Sequence, residues 1–128
     1  MIAREFGVEN EKPLVWMGSS FRDYTEFPAE AQRQMGFALA SAQLGGKHYS
    51  AKPWKGEGPG VLEIVADHQG DTFRAIYTVR FEKAVFMLHA FQKKSKRGIA
   101  TPRLEQEMVR RRLKMAQQEY KERYETES

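Results

Sequence analysis

The stretch from Phe73 to Arg97, FRAIYTVRFEKAVFMLHAFQKKSKR, constrains the fold more than any other part of the chain. In its first half Phe73, Ala75, Tyr77, Val79 and Phe81 share one parity, and Arg74, Ile76, Thr78 and Arg80 share the other. A period of two belongs to a β-strand, whose successive side chains point to opposite faces. The spacing therefore predicts Arg74 and Arg80 on one face and an aromatic core set on the other. Ala84 to Phe91 is almost continuously apolar, the pattern of a strand covered on both sides. Glu82-Lys83 is short enough to be the turn between them, although it lacks the Gly or Asn of the commonest two-residue turns. This central hairpin would deliver Lys93, Lys94, Lys96 and Arg97 to one end of a small sheet.

The flanking segments complete an order β-α-α-β-β-β-α. Pro13 to Met17 reads as a short edge strand opened by proline, and Gly18-Ser19-Ser20 breaks it, with either serine able to cap a helix. Phe21 to Gly46 is helical, with a new first turn or a kink at Pro28. Ala31, Met35, Ala38, Leu39 and Ala42 form an amphipathic stripe suited to packing on the sheet, and Gly45-Gly46 stops the helix. KHYSAKPWKGEGPG, residues 47–60, is a loop that mixes lysines with aromatic rings. Such a loop suits nucleic acid, where bases stack on rings and lysines meet phosphates. Trp54 is expected to fold back on the core, and Lys52 and Lys55 stay open between solvated charge and nucleic-acid contact. Its glycines do not open a helix after a strand, so it is no dinucleotide or phosphate-binding loop. Val61 to Ala66 is a strand, and DHQGD a polar hairpin loop with Gly70 at a left-handed position. Thr101-Pro102 opens a last helix that runs to about Tyr124. Val109, Leu113, Ala116, Tyr120 and Tyr124 form one stripe on it, and Leu104, Met108 and Met115 a second patch; one should pack on the sheet and the other could be a partner surface.

A chain of 128 residues is expected to be one domain, 1–128, with frayed ends at 1–12 and 121–128. No apolar run approaches the roughly 18–20 residues that span a bilayer, and residues 1–12 carry no signal-peptide pattern, so a cytoplasmic protein without a membrane partner is expected. With no cysteine there is no thiolate ligand, and His48, His68 and His89 have no metal-ligand spacing. No metal and no cofactor are expected. Residues 93–123 hold 11 Lys or Arg against 4 Glu, whereas residues 1–92 hold 10 basic and 11 acidic residues. A near-neutral body with a basic C-terminal third points to a polyanion, nucleic acid first; the other reading is a solvated, charged helix.

The hairpin and the segment after it resemble the phage-derived, HigB-like branch of the RelE/ParE toxin superfamily. The resemblance rests on Phe73-Arg74-Ala75-Ile76-Tyr77, Phe91-Gln92-Lys93-Lys94 and Thr101-Pro102, together with the helical segment FPAEAQRQMGFALASAQLGG. It covers roughly residues 13–120. It implies an α+β fold, a small twisted antiparallel sheet packed against N-terminal helices with a C-terminal helix. It further implies the toxin of a type II toxin–antitoxin system, a ribosome-dependent mRNA endoribonuclease, partnered by a helix-turn-helix antitoxin of HigA type. Relatives with the same fold poison gyrase and cut no RNA. A non-enzymatic toxin-fold protein, gyrase-inhibiting or an inactive phage relative, is therefore the alternative.

Metal-free RNA cleavage uses the neighbouring 2′-OH as nucleophile. It needs a base for that proton, cations for the phosphorane charge and an acid for the leaving 5′-oxygen. The resemblance matches Arg74 and Lys94 to positions that stabilise the transition state. Lys93, Lys96, Arg97, Arg80, Lys52 and Lys55 would hold the RNA backbone. For Arg74 the other reading is an ion pair across the sheet with Glu63, which stands where some relatives carry a lysine; for the lysines it is solvated turn charge. The base and acid are open. Ribonucleases of the superfamily carry a Tyr or His near their C-terminal end, and the matching segment at Ala100-Thr101 has neither. His89 is expected to be buried and satisfied, Tyr77 belongs to the core set, and His48 and Tyr49 sit on the loop.

Overall fold

A computed structural model of the protein describes residues 11–93 and 103–125. Five strands form one sheet in the order β1-β5-β4-β3-β2. They are β1 (Leu14–Trp16), β2 (Lys52–Pro53), β3 (Val61–His68), β4 (Asp71–Thr78) and β5 (Val85–Lys93). Helices α1 (Ser20–Thr25) and α2 (Ala29–Gln43) precede β2, and α3 (Arg103–Tyr120) follows β5. The α+β class expected from sequence is present, with one change of geometry. β1 joins the edge parallel to β5, pairing Leu14 with Val85 and Trp16 with Met87, while the other four strands are antiparallel. Pro13 suits this position, because it has no N–H to leave unpaired and its carbonyl accepts the Val85 N–H at 2.9 Å.

Local chemistry accounts for most boundaries. Pro28 ends α1 and caps α2 with an extended backbone, so the segment is two helices. Gly45, at φ +87°, closes α2: its N–H reaches the Ala42 carbonyl, and the Gly46 N–H reaches that of Ser41. This is the paired bonding of a left-handed helix stop. Ser19 occupies the cap position of α1, but its hydroxyl donates to the Asp23 carboxylate at 2.7 Å instead of capping the backbone. Gln69 and Gly70 both have positive φ and make the two-residue turn between β3 and β4, so the strands run closer to the tip than the sequence suggests.

The β4–β5 connection departs from expectation. It takes the six residues 79–84 instead of a Glu82-Lys83 turn. Thr78 is drawn away first: its hydroxyl donates to the Gly60 carbonyl at 2.8 Å, and the Val79 N–H follows at 2.9 Å. Phe81 then leaves the core set of its strand and stacks on Tyr120 of α3, ring centroids 4.8 Å apart. The Tyr120 hydroxyl accepts the Lys83 N–H.

Both faces of the sheet are covered, as the apolar β5 requires. On one side Ala31, Met35, Ala38, Leu39 and Ala42 of α2, the expected stripe, pack with Leu62, Ile64, Phe73, Ala75, Tyr77 and Met87. On the other, Val109, Leu113, Ala116 and Tyr120 of α3 pack with Val61, Ile76, Phe86, Leu88 and Trp54. Trp54 does fold back on the core, 6% exposed. After Tyr120 the chain makes one π-helical turn, Lys121–Glu125, with Tyr124 against Tyr120 at 4.9 Å. The Thr101-Pro102 helix start lies outside the described residues.

Candidate nucleic-acid interface

The α3 side of the sheet carries the polar residues singled out by sequence. Arg74 lies on β4 opposite Val65 of β3 and Phe91 of β5. Its Nη1 donates to Glu63 Oε2 at 2.7 Å, and the two side chains are 17% and 14% exposed. Arg74 Nε is buried with no partner among the described residues. The sheet-face ion pair raised for Arg74 is therefore formed, a diagonal contact between neighbouring strands. Glu63 in turn faces Lys52 across the β2–β3 ladder. Lys52, Pro53, Trp54, Lys55, Glu63 and Gln106 line a cleft of about 450 Å³ between β2 and the first turns of α3. Three predicted residues thus converge there: Lys52 and Lys55 on the wall, and Arg74 through its bond to Glu63.

Other expectations fare differently. Arg80 does not share a face with Arg74. It lies beyond the end of β4, and its guanidinium donates to the carbonyls of Glu57 and Pro59. Gly60 makes this possible, for its α-carbon lies against the Arg80 backbone, where a Cβ would meet Arg80 Cα at 3.2 Å. Lys93 is the last residue of β5, opposite Thr72 and half-buried. Lys94, Lys96 and Arg97 lie outside the described residues. Tyr49, 93% exposed, stacks on His48, whose Nδ1 bonds the Ser50 hydroxyl; neither lines the cleft.

His89 is buried, as expected, and is engaged at both nitrogens. Nε2 meets Glu105 Oε1 at 2.6 Å, Nδ1 faces Arg112 Nη1 at 3.4 Å, and the ring stacks on Phe91. A guanidinium can only donate, so Nδ1 must accept and Nε2 carries the proton to Glu105. Burial pushes the His89 pKa down, outweighing the Glu105 carboxylate that raises it, and Arg112 pushes it further down. Tyr77 is wholly buried, its hydroxyl has no hydrogen-bond partner among the described residues, and burial pushes its pKa up to about 12. Neither group is placed to trade protons with RNA.

Sequence reading missed Arg112 and Glu105. Arg112 is 7% exposed; Nη1 donates to the Leu88 carbonyl at 2.9 Å and Nη2 to Ser19 Oγ at 3.0 Å, tying α3 to β5 and to the β1–α1 turn. Burial lowers its pKa. The signal was available: positions 105, 109, 112, 113 and 116 share one helical face, so a Glu and an Arg lie inside an apolar stripe facing a strand with a lone histidine. Some of the exposed basic residues are charge-paired. Arg110 pairs with Glu57 at 3.0 Å, and Arg123 with Glu119 at 2.7 Å.

Two helices on one face of a small sheet, a third on the other, and a half-buried arginine on the central hairpin define the class: the RelE toxin fold. A solved structure of a double Arg-to-Ala mutant of the E. coli toxin RelE in its free state matches with a TM-score of 0.54. The match covers 82% of this chain and 97% of that one at 15% identity. No curated protein matches the sequence. The family model of the phage-derived Gp49-like proteins matches residues 22–114. The chain belongs to that family, and its fold is that of RelE.

Proposed function

We propose that the protein is the toxin of a type II toxin–antitoxin system, a ribosome-dependent mRNA endoribonuclease acting in the cytoplasm. A helix-turn-helix antitoxin of HigA type would hold it inactive. The observation that carries this reading is one cleft on the α3 face of a RelE fold that is lined by Lys52, Lys55 and Glu63, with Arg74 bonded to Glu63 behind it. The RelE likeness fixes the fold alone, so the chemistry must come from these side chains. In the proposed step the 2′-OH attacks the adjacent phosphorus and the bond to O5′ breaks, leaving a 2′,3′-cyclic phosphate and a 5′-hydroxyl. Arg74 and Lys94 would stabilise the added charge on the phosphorane. Lys93, Lys96, Arg97, Lys52 and Lys55 would hold the backbone by charge. Arg80 is reassigned to holding the 56–60 loop. A guanidinium already bonded to Glu63 binds phosphate only by sharing its remaining edge or exchanging partners. That cost suits an enzyme whose substrate is positioned by a larger body, here the ribosome.

A second reading draws on a specific observation. With His89 and Tyr77 both withdrawn and Arg74 charge-paired, the described residues include no histidine or tyrosine ready for acid–base work on this face. A non-enzymatic toxin that acts by contact, on gyrase or another target, needs none. The deciding experiment is induced expression of wild type and Arg74→Ala, with primer extension on abundant mRNAs. Cuts within translated frames that vanish in Arg74→Ala support the ribonuclease. Growth arrest without cuts supports the second reading, and no arrest removes both.

A further inference from the structure

We propose that the cleft between β2 and α3 is a guanine subsite, with the Glu63 carboxylate receiving the Watson–Crick edge of the base. This deepens the ribonuclease reading and rests on it for its biological meaning. The cleft volume of about 450 Å³ falls within the range of small-ligand sites, about 300–1,000 Å³, and suits one nucleotide. Its wall joins apolar surface, from Pro53 and Trp54, to two ammonium groups, Lys52 and Lys55. Both lysines are exposed, so they can meet phosphates at the mouth.

The unusual member is Glu63. A carboxylate inside a site for a polyanion repels phosphate, so that part of the wall must face something else. A carboxylate only accepts hydrogen bonds, with about four lone-pair sites over two oxygens. The bond from Arg74 Nη1 uses one site on Oε2 and fixes the orientation of the group, leaving acceptor capacity on both oxygens. Single-stranded RNA is read on the Watson–Crick edges of its bases. Guanine alone presents two adjacent donors there, N1–H and N2–H, spaced to meet both oxygens. Adenine and cytosine place a ring acceptor beside their amino group, and uracil flanks its single N–H with two carbonyls. Each of these sets a lone pair against the carboxylate.

The test is fluorescence anisotropy with labelled, adenine-flanked RNA pentamers that differ only in the central base. The guanine pentamer should bind about tenfold tighter than the other three, the lower end of the discrimination expected for a bidentate base contact. Glu63→Gln should remove that preference, because an amide presents a donor as well as an acceptor. Lys52→Ala should weaken all four pentamers alike. Equal binding of the four by the wild type, or a guanine preference that survives Glu63→Gln, overturns the proposal. The wild-type comparison decides by itself should Glu63→Gln fold poorly. Binding needs no cleavage, so the two readings fail separately. A guanine preference without mRNA cutting keeps the subsite and removes the ribonuclease; cutting without a guanine preference does the reverse.

Discussion

Replacing Tyr77 by Phe should stabilise this protein. Most aromatic truncations in a core cost stability, but here the only atom lost is a hydroxyl that is wholly buried and bonded to nothing among the described residues. A buried polar group left without a partner costs about 1–3 kcal/mol, and the ring that fills the space between α2 and the sheet remains. Thermal unfolding entropy for 128 residues is about 270 cal/mol/K at about 2.1 cal/mol/K per residue. A gain of about 1–3 kcal/mol then raises Tm by about 4–11 °C. The pH dependence supplies an independent reading of the same atom. The phenol ionises near 10 when unfolded and near 12 when folded. Its folded pKa is raised and the neutral form is the one buried, so the native state is disfavoured as pH climbs from 10 toward 12. The full shift of two units is worth about 3 kcal/mol. Urea unfolding followed by circular dichroism at pH 7 and pH 11 measures both effects. Tyr77→Phe should be more stable at each pH, by a wider margin at pH 11, with an unchanged denaturant slope. A variant less stable than wild type by about 1 kcal/mol at pH 7 would show that the hydroxyl is bonded, and the reasoning would fail.

The packing sets three further outcomes. Because burial lowers the His89 pKa, the unfolded chain binds that proton more readily. The contribution of His89 is full above about pH 6.5 and is lost as pH falls below it, by at most about 1.4 kcal/mol per pH unit; His89→Gln should flatten Tm between pH 7.5 and 5. Gly18→Ala should cost about 2 kcal/mol or more in urea unfolding, since φ there is +56° and the new Cβ would sit 2.7 Å from Arg112 Nε. Arg80→Ala should release the 56–60 loop, seen as faster amide hydrogen exchange and proteolytic nicking there, with global stability changed by less than about 1 kcal/mol. An unchanged exchange rate would mean that the three carbonyl contacts do not hold that loop.

Legibility in the sequence tracked the range of the interaction. The β3–β4 turn could be read because Gly70 and a period of two are local signals, and the α2 stripe because helical spacing is local. The β4–β5 turn could not, because Gly60, Glu57 and Pro59 pull Thr78, Val79 and Arg80 out of line, and those partners lie about twenty residues away. The parallel docking of β1 is equally remote from its own three residues. At the site, Arg74, Glu63, Lys52 and Lys55 were all named from the chain, and their convergence needed the sheet register. Counting charges could not tell which cation leaves the surface: Arg112 is a buried tie, whereas Arg110, Arg111, Lys114 and Lys121 of the same helical segment stay exposed.

The parallel pairing of β1 with β5 also sets a clock on synthesis. Leu14 finds Val85 only after the strands between them have been made, and α1 rests chiefly on β5. At about 5–20 residues per second, the 71 residues that separate the pair take roughly 4–14 s to emerge. Until then β1 and α1 have no sheet to lie on. The β3–β4–β5 meander, whose pairings are close in sequence, can form as it leaves the ribosome, and the N-terminal segment closes over it afterwards. Truncation anywhere before β5 therefore removes the seat of β1 and α1 as well as α3, so a nascent chain of this kind closes its sheet only once β5 has emerged.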